Sequence, residues 1–400
     1  MSTSAPRGPW KPAQQPSLEI SLDIARGLAA MAVFFFHMHG MIAAISPALG
    51  SLARIGHLGV PVFFVISGYC MAASASRVLA KGGSAREFLR KRFLRIFPPY
   101  WASIGVILAL PYLLALLSWA RTGEFLSPRQ PWMTLDLVDW LQFVTLTRVF
   151  FNEGPGLESA FAAVNIVYWT LAIEFQFYLV MYAALHWRRH YRPILLLTTA
   201  LGVLALALPQ VKSTGLFIGF WPMFALGLGL HGLLAARKTP EAVFRLRVGV
   251  IAPAIALGLV AFGTALAVRG SPLPWLASPF GDPALAFAAL TAVVLWLLSD
   301  ADHRLAARLR AGPWPWRLPL RFGVFLGTIS YSVYLLHTKL YQLPATAARQ
   351  AFPPDHPAHV LVVVAGTVLL SWLFYTCFER PFISRRTVRP PLQSAVHATH

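Results

Sequence analysis

Charge is what this chain has least of. Only 12% of its 400 residues are Asp, Glu, Lys or Arg, against about 25% in soluble domains, which excludes an ordinary water-soluble globule. Carboxylates are the scarcer sign, with 15 Asp and Glu against 34 Lys and Arg and a formal net charge of +19. There are 2 cysteines, Cys70 and Cys377, and both fall in apolar runs, so no disulfide framework is expected. Residues 1–17 are polar and proline-rich, with no apolar core ahead of a small-residue cleavage site, so no signal peptide is expected. No repeat of fixed period is present.

Hydrophobicity is what remains. The chain is 57% hydrophobic with a mean hydropathy of +0.60. The expected fold class is an all-α, polytopic membrane helix bundle. A spanning helix needs about 20 mostly apolar residues. Runs of that kind lie at 24–46, 57–76, 99–119, 167–187, 193–211, 214–235, 248–268, 283–299, 320–343 and 358–378. That makes about ten transmembrane helices, the run at 283–299 being the shortest. The stretch 137–151 is too short and polar to span and reads as an interfacial or loop helix.

The basic residues test this count, because they collect on cytoplasmic loops. One alternating set of segments holds Arg7 and Lys11, the cluster Arg77 to Arg95, Arg188 to Arg192, Arg237 to Arg247, Arg304 to Arg321, and Arg380 to Arg389. The other set holds only Arg54, Arg121, Arg129, Arg148, Lys212, Arg269 and Arg349, while Arg26 and Lys339 sit in spans. The split places both termini in the cytoplasm and explains the positive charge without nucleic acid. Three segments follow: a disordered N-terminus over 1–17, a transmembrane domain over 18–385 and a cytoplasmic tail over 386–400. The longest external loop, about 120–166, carries Trp132, Trp140, Asp136, Asp139, Glu153 and Glu158. It suits a lid, an acceptor platform or a solvated connector.

Ionisable groups inside spans are expensive and therefore point to function. Asp23 and Arg26 stand three apart and can pair. Arg26 and His37 are eleven residues apart, about three full helical turns, so they share a face about 16 Å apart along the axis. Glu174, in "YWTLAIEFQFYLVMY", is the one carboxylate well inside a run. His337, in "GTISYSVYLLHTKLY", approaches the same depth with Tyr334 and Tyr331 one and two turns away. His37, Glu174 and His337 are the candidate catalytic residues. Ser67 and Tyr69, in "GVPVFFVISGYCMA", and Tyr331 and Tyr334 are the candidate substrate-binding residues. Gly68 between them also suits close helix packing. In "REFLRKRFLRIFPPYW", Arg92 and Arg95 share a helical face. They suit either topology anchoring or a phosphate clamp through their planar forks. No metal site is expected.

Taken together, "LDIARGLAAMAVFFFH", "GVPVFFVISGY", "RKRFLRIFPPYW", "YWTLAIEFQFYL", "ISYSVYLLH" and "FERPF" resemble the acyltransferase 3 family of bacterial integral-membrane O-acyltransferases. The resemblance covers about residues 17–385. It implies transfer of an acyl group, commonly acetyl, from cytoplasmic acyl-CoA (acetyl-CoA) as co-substrate to a hydroxyl. The implied acceptor is a carbohydrate or glycoside, and the location is the bacterial inner membrane. The family's Arg and His map onto Arg26 and His37, and its RxxR pair onto Arg92 and Arg95. Where the family shows a second acidic residue after Glu174, this chain has Phe175. No extracytoplasmic hydrolase domain is expected after the last span, and no cofactor is expected to be bound permanently. Two alternatives from other classes stay open: a proton-coupled exporter, and a non-catalytic component of a glycan-export complex. Paired halves with broken helices would mark the exporter, and none are seen.

Overall fold

The computed structural model describes residues 18–236 and 283–383, apart from 126, 153, 155 and 300. Among the described residues there are helices and turns and no strand. In chain order the α-helices are α1 (Glu19–His37), α2 (His39–Ile45), α3 (Pro47–Arg54), α4 (Gly59–Ala80), α5 (Ala85–Thr122), α6 (Leu137–Thr145) and α7 (Trp169–His186). There follow α8 (Tyr191–Ala205), α9 (Trp221–Ala235), α10 (Pro283–Leu298), α11 (Asp302–Ala311), α12 (Trp314–Leu340), α13 (Gln342–Ala351) and α14 (Pro357–Phe374). The expected all-helical class is what forms.

Among the described residues six stretches are long and apolar enough to cross a membrane: Glu19–His37, Pro47–Ala80, Ala85–Thr122, Ile166–His186, Trp314–Leu340 and Pro357–Phe382. The runs expected at 193–211, 214–235 and 283–299 fall on α8, α9 and α10, of 15, 15 and 16 residues. At 1.5 Å per residue the described parts of those helices reach about 24 Å, short of a hydrocarbon core of about 30 Å. The run expected at 248–268, the N-terminus 1–17 and the tail 386–400 lie outside the described residues.

Two boundaries differ from those expected, for local reasons. The first run does not continue to residue 46. Helix α1 closes at His37, where Met38 leaves helical geometry and its N–H reaches back to the Phe34 and Phe35 carbonyls. One residue later, the His39 ring takes the Phe36 carbonyl at 2.7 Å. The chain then turns through α2, and Ser46 with Pro47 opens α3. Such an Ncap followed by proline at the first helical position is a favoured start. In the other direction, α5 runs unbroken for 38 residues through Pro98, Pro99 and Pro111. Ser84 caps it, its Oγ accepting from the Arg86 and Glu87 N–H groups at 3.1 and 3.4 Å. Gly123, at φ +76°, ends it. Interior prolines cost an isolated helix about 3 kcal/mol each, and burial of Phe97, Pro99 and Tyr100 offsets that here. The rod is about 57 Å long, so the basic cluster and the apolar run are one element.

Two close helix pairs build the bundle. Helix α1 lies along α12, where a Cβ on Gly27 would meet the Leu326–Gly327 backbone and one on Gly327 would meet the Asp23 carbonyl. Helix α4 meets α9 the same way, through Gly68 and Gly227. Small residues at such crossings are the usual device of membrane helices. Phe64, Phe177, Phe220 and Phe224 fill the neighbouring core, with ring centroids 4.6–6.0 Å apart. Asp302 joins the start of α1 to the later chain: its carboxylate accepts the Ser21 N–H at 2.7 Å and is 1% exposed. An acid at a helix N-terminus is favourable for both the open N–H groups and the dipole.

Candidate active site

Apolar helices bring their few polar side chains together along one seam. At its first end Arg26 pairs with Asp23 at 3.2 Å, as the spacing allows, and donates to Cys70 Sγ at 2.8 Å. Arg92 and Arg95 approach from α5. The Arg92 guanidinium lies over the Phe88 and Tyr178 rings, 5.6 and 5.9 Å from their centroids. Tyr178, Cys70 and Glu174 act electrostatically on both arginines. The Arg92 Nε is buried with no hydrogen-bond partner among the described residues. The Cys70 thiol thus accepts from one guanidinium and acts electrostatically on two more.

Glu174 comes next. Its Oε1 accepts from Ser67 Oγ at 2.7 Å and from the Tyr178 hydroxyl at 2.5 Å. Tyr178 is four residues on, so the pair shares a face of α7. Thr170, one turn the other way, hydrogen-bonds the Tyr334 hydroxyl at 2.6 Å. The Tyr334 ring in turn packs against His337, centroids 5.9 Å apart.

The far end of the seam is a histidine pair. His337 is fully buried, and its Nδ1 lies 3.0–3.1 Å from the carbonyls of Tyr334 and Val333. Carbonyls only accept, so Nδ1 carries the proton and Nε2 holds the lone pair. That Nε2 is buried and unpartnered among the described residues. The ring of half-buried His37 stands beside it, centroids 5.1 Å apart. Arg26 and His37 share one unbroken helix, as their spacing requires.

The structure thus joins Arg26, Arg92, Arg95, Ser67, Glu174, Tyr334, His337 and His37 into one path. Glu174 bonds Ser67 and Tyr178 rather than a histidine, and its charge also acts on Tyr334. Tyr331 turns to the Ile96 carbonyl of α5 at 3.0 Å. Tyr69 faces His231 of α9, rings 5.5 Å apart, and does not join the Glu174 cluster. His39 points away from His37 to its own carbonyl contact.

Sequence reasoning assigned no role to Cys70, Tyr178, Thr170 or Glu379. Cys70 and Tyr178 look like core residues in their runs, although Tyr178 could have been found at four residues from Glu174. Glu379, in "FERPF", lies one residue beyond the last expected run, 358–378. It lies in a π-helical turn over Tyr375–Glu379, is 3% exposed, and accepts from Ser332 Oγ at 2.5 Å. Its carboxylate also acts on Arg95. Such π turns recur at functional sites.

A family model described as an acyltransferase domain matches residues 19–376. The chain belongs to the acyltransferase 3 family. The exopolysaccharide production protein ExoZ of Rhizobium meliloti (strain 1021) is 26% identical over 347 residues, covering 84% of this chain and 92% of that one. The peptidoglycan O-acetyltransferase OatA of Listeria monocytogenes is 24% identical over 381 residues, 90% of this chain and 55% of that one. Nodulation protein 10 of Rhizobium leguminosarum bv. viciae is 31% identical over 176 residues, 42% of this chain and 45% of that one. The chain thus spans most of the first relative and about half of the other two. No solved structure matches significantly.

Proposed function

We propose that the chain is a multi-pass enzyme of the bacterial inner membrane that moves an acyl group, acetyl in chemistry, from cytoplasmic acyl-CoA to a hydroxyl of a carbohydrate acceptor. The observation that carries this reading is the seam of polar side chains in an apolar bundle, with three arginines at one end and a histidine pair at the other. The names of OatA and ExoZ, an O-acetyltransferase and an exopolysaccharide production protein, support the acyl group and the acceptor class.

Each part of the path has a task. Arg92, Arg95 and Arg26 suit the diphosphate and 3′-phosphate of CoA, since forked guanidinium groups bind phosphate oxygens bidentately. The pantetheine arm then leads past Ser67 and Glu174 towards the histidines. A sugar hydroxyl has too high a pKa to attack a thioester unaided, so a base must take its proton as the bond forms. His37 is that base. His337 is tautomerically fixed by two backbone carbonyls, and its open Nε2 stands beside the His37 ring, ready to accept from a nitrogen of it when that ring turns. That leaves the other His37 nitrogen free for the hydroxyl. The His37 proton then passes to the departing CoA thiolate.

The test is turnover by purified protein in nanodiscs, supplied with acetyl-CoA and a hydroxyl acceptor. Release of free CoA with acetylated acceptor supports an enzyme. Transport of protons or glycan without acetyl transfer would instead establish the exporter or the export-complex component.

A further inference from the structure

A cavity of about 290 Å³ lies between the second half of α5, the loop that follows it and the end of α12. One wall is apolar, with Ile107, Leu110 and Leu114 three and four residues apart on one face of α5. The other wall is polar: Lys339 and Gln342 come from the α12–α13 junction, and Gln130 and Trp132 from the loop.

Lys339 is half-buried. The ion pairs among the described residues are Asp23–Arg26, Glu87–Lys91 and Asp139–Arg148, so Lys339 meets no carboxylate there. A desolvated cation without a counter-ion is costly, and in a membrane helix it points to a ligand that supplies the charge. Two amide side chains and an indole beside it suit a ligand rich in hydroxyls, with C–H faces to stack. The volume sits at the low end for small-molecule pockets, roughly 300–1,000 Å³, which fits one sugar ring.

The cavity is tied to the histidine pair without opening onto it. Residues two apart on a helix point about 200° apart, so Lys339 and His337 face opposite sides of α12. Asn165, next to the cavity residues Ala163 and Val164, clamps that turn. It donates to the Leu335 carbonyl at 2.8 Å and accepts from Thr338 Oγ1 at 2.6 Å.

We infer that this cavity is a remote subsite for an anionic sugar unit of the acceptor, held by Lys339 through its carboxylate or phosphate, beside the unit that is acylated. The inference rests on the carbohydrate-acceptor reading above. Lys339 and Trp132 here add affinity and selectivity, not chemistry.

The test needs binding alone. Full-length protein in phosphatidylcholine nanodiscs is titrated with a glucuronate-containing oligosaccharide and with its carboxyl-reduced, neutral counterpart. Wild type should favour the acidic sugar by about tenfold or more, the range for a charge-assisted bond. Lys339→Gln should abolish that preference while leaving the neutral sugar's affinity and the melting temperature unchanged. Lys339→Arg should retain it, and Trp132→Ala should weaken both sugars alike. Equal affinity of the two sugars for wild type would overturn the charge subsite alone. Failure of both sugars to bind wild type would overturn the inference together with the carbohydrate reading it rests on. Displacement of the acidic sugar by added phosphatidylglycerol, lost in Lys339→Gln, would make the cavity a lipid headgroup site and overturn the inference.

Discussion

His37 is the last helical residue of α1, placed against a buried imidazole whose tautomer the backbone fixes. If it is the base, His37→Ala should fold and bind acetyl-CoA normally, while transfer falls roughly 10²–10⁴-fold. Single-turnover transfer, with melting as the fold check, decides this. Near-normal transfer would return His37 to a packing role. At the other end of the path, Arg95→Ala should weaken acetyl-CoA binding by about 1.5–3 kcal/mol, the range for bonds to charged groups. Lysine should rescue it only in part, because it lacks the fork; calorimetric titration reads both. Residues of this kind were legible because an Arg, His or Glu stands out in an apolar run. Cys70, Tyr178 and Thr170 did not stand out, since their types are ordinary in a core and only their partners mark them. Glu379 was hidden differently, by a π turn that carries it back into the bundle.

At the scale of elements, the type of structure was readable and its ends were not. Composition dictates helices wherever lipid or core must be met without free backbone groups. The ends depend on competition that composition does not show. His39 takes a carbonyl and α1 stops; three prolines are tolerated and α5 does not stop. The α1–α12 crossing offers a direct test. Gly327→Val would push a branched side chain into the Asp23 carbonyl, and overpacking of this kind typically costs 1–3 kcal/mol. Melting should drop accordingly. Because Asp23 holds Arg26, acetyl-CoA affinity should fall as well. An equivalent valine at Gly105, where a Cβ meets nothing within 4 Å, should change neither.

For the whole molecule, the alternation of basic segments carries the proposed orientation, with the α4–α5 turn in the cytoplasm and the loop after α5 outside. In a Cys377→Ser background, Ser127→Cys should react with an impermeant maleimide on intact cells, and Lys81→Cys only after lysis. Reversed labelling would put the arginines on the wrong side for cytoplasmic acyl-CoA. One further consequence lies in where α1 finds its partners. Asp302 closes its N-terminus, Gly327 receives its Gly27, and His337 stands beside its His37, all about 300 residues downstream. During synthesis the first helix enters the bilayer long before any of them exists. Until then its uncapped start and its histidine face lipid or provisional neighbours, whereas Arg26 already has Asp23 in its own helix. Nascent chains stalled before α12 should therefore remain bound to insertion chaperones and be prime substrates for membrane proteases, whereas chains stalled after α12 should already resist proteolysis.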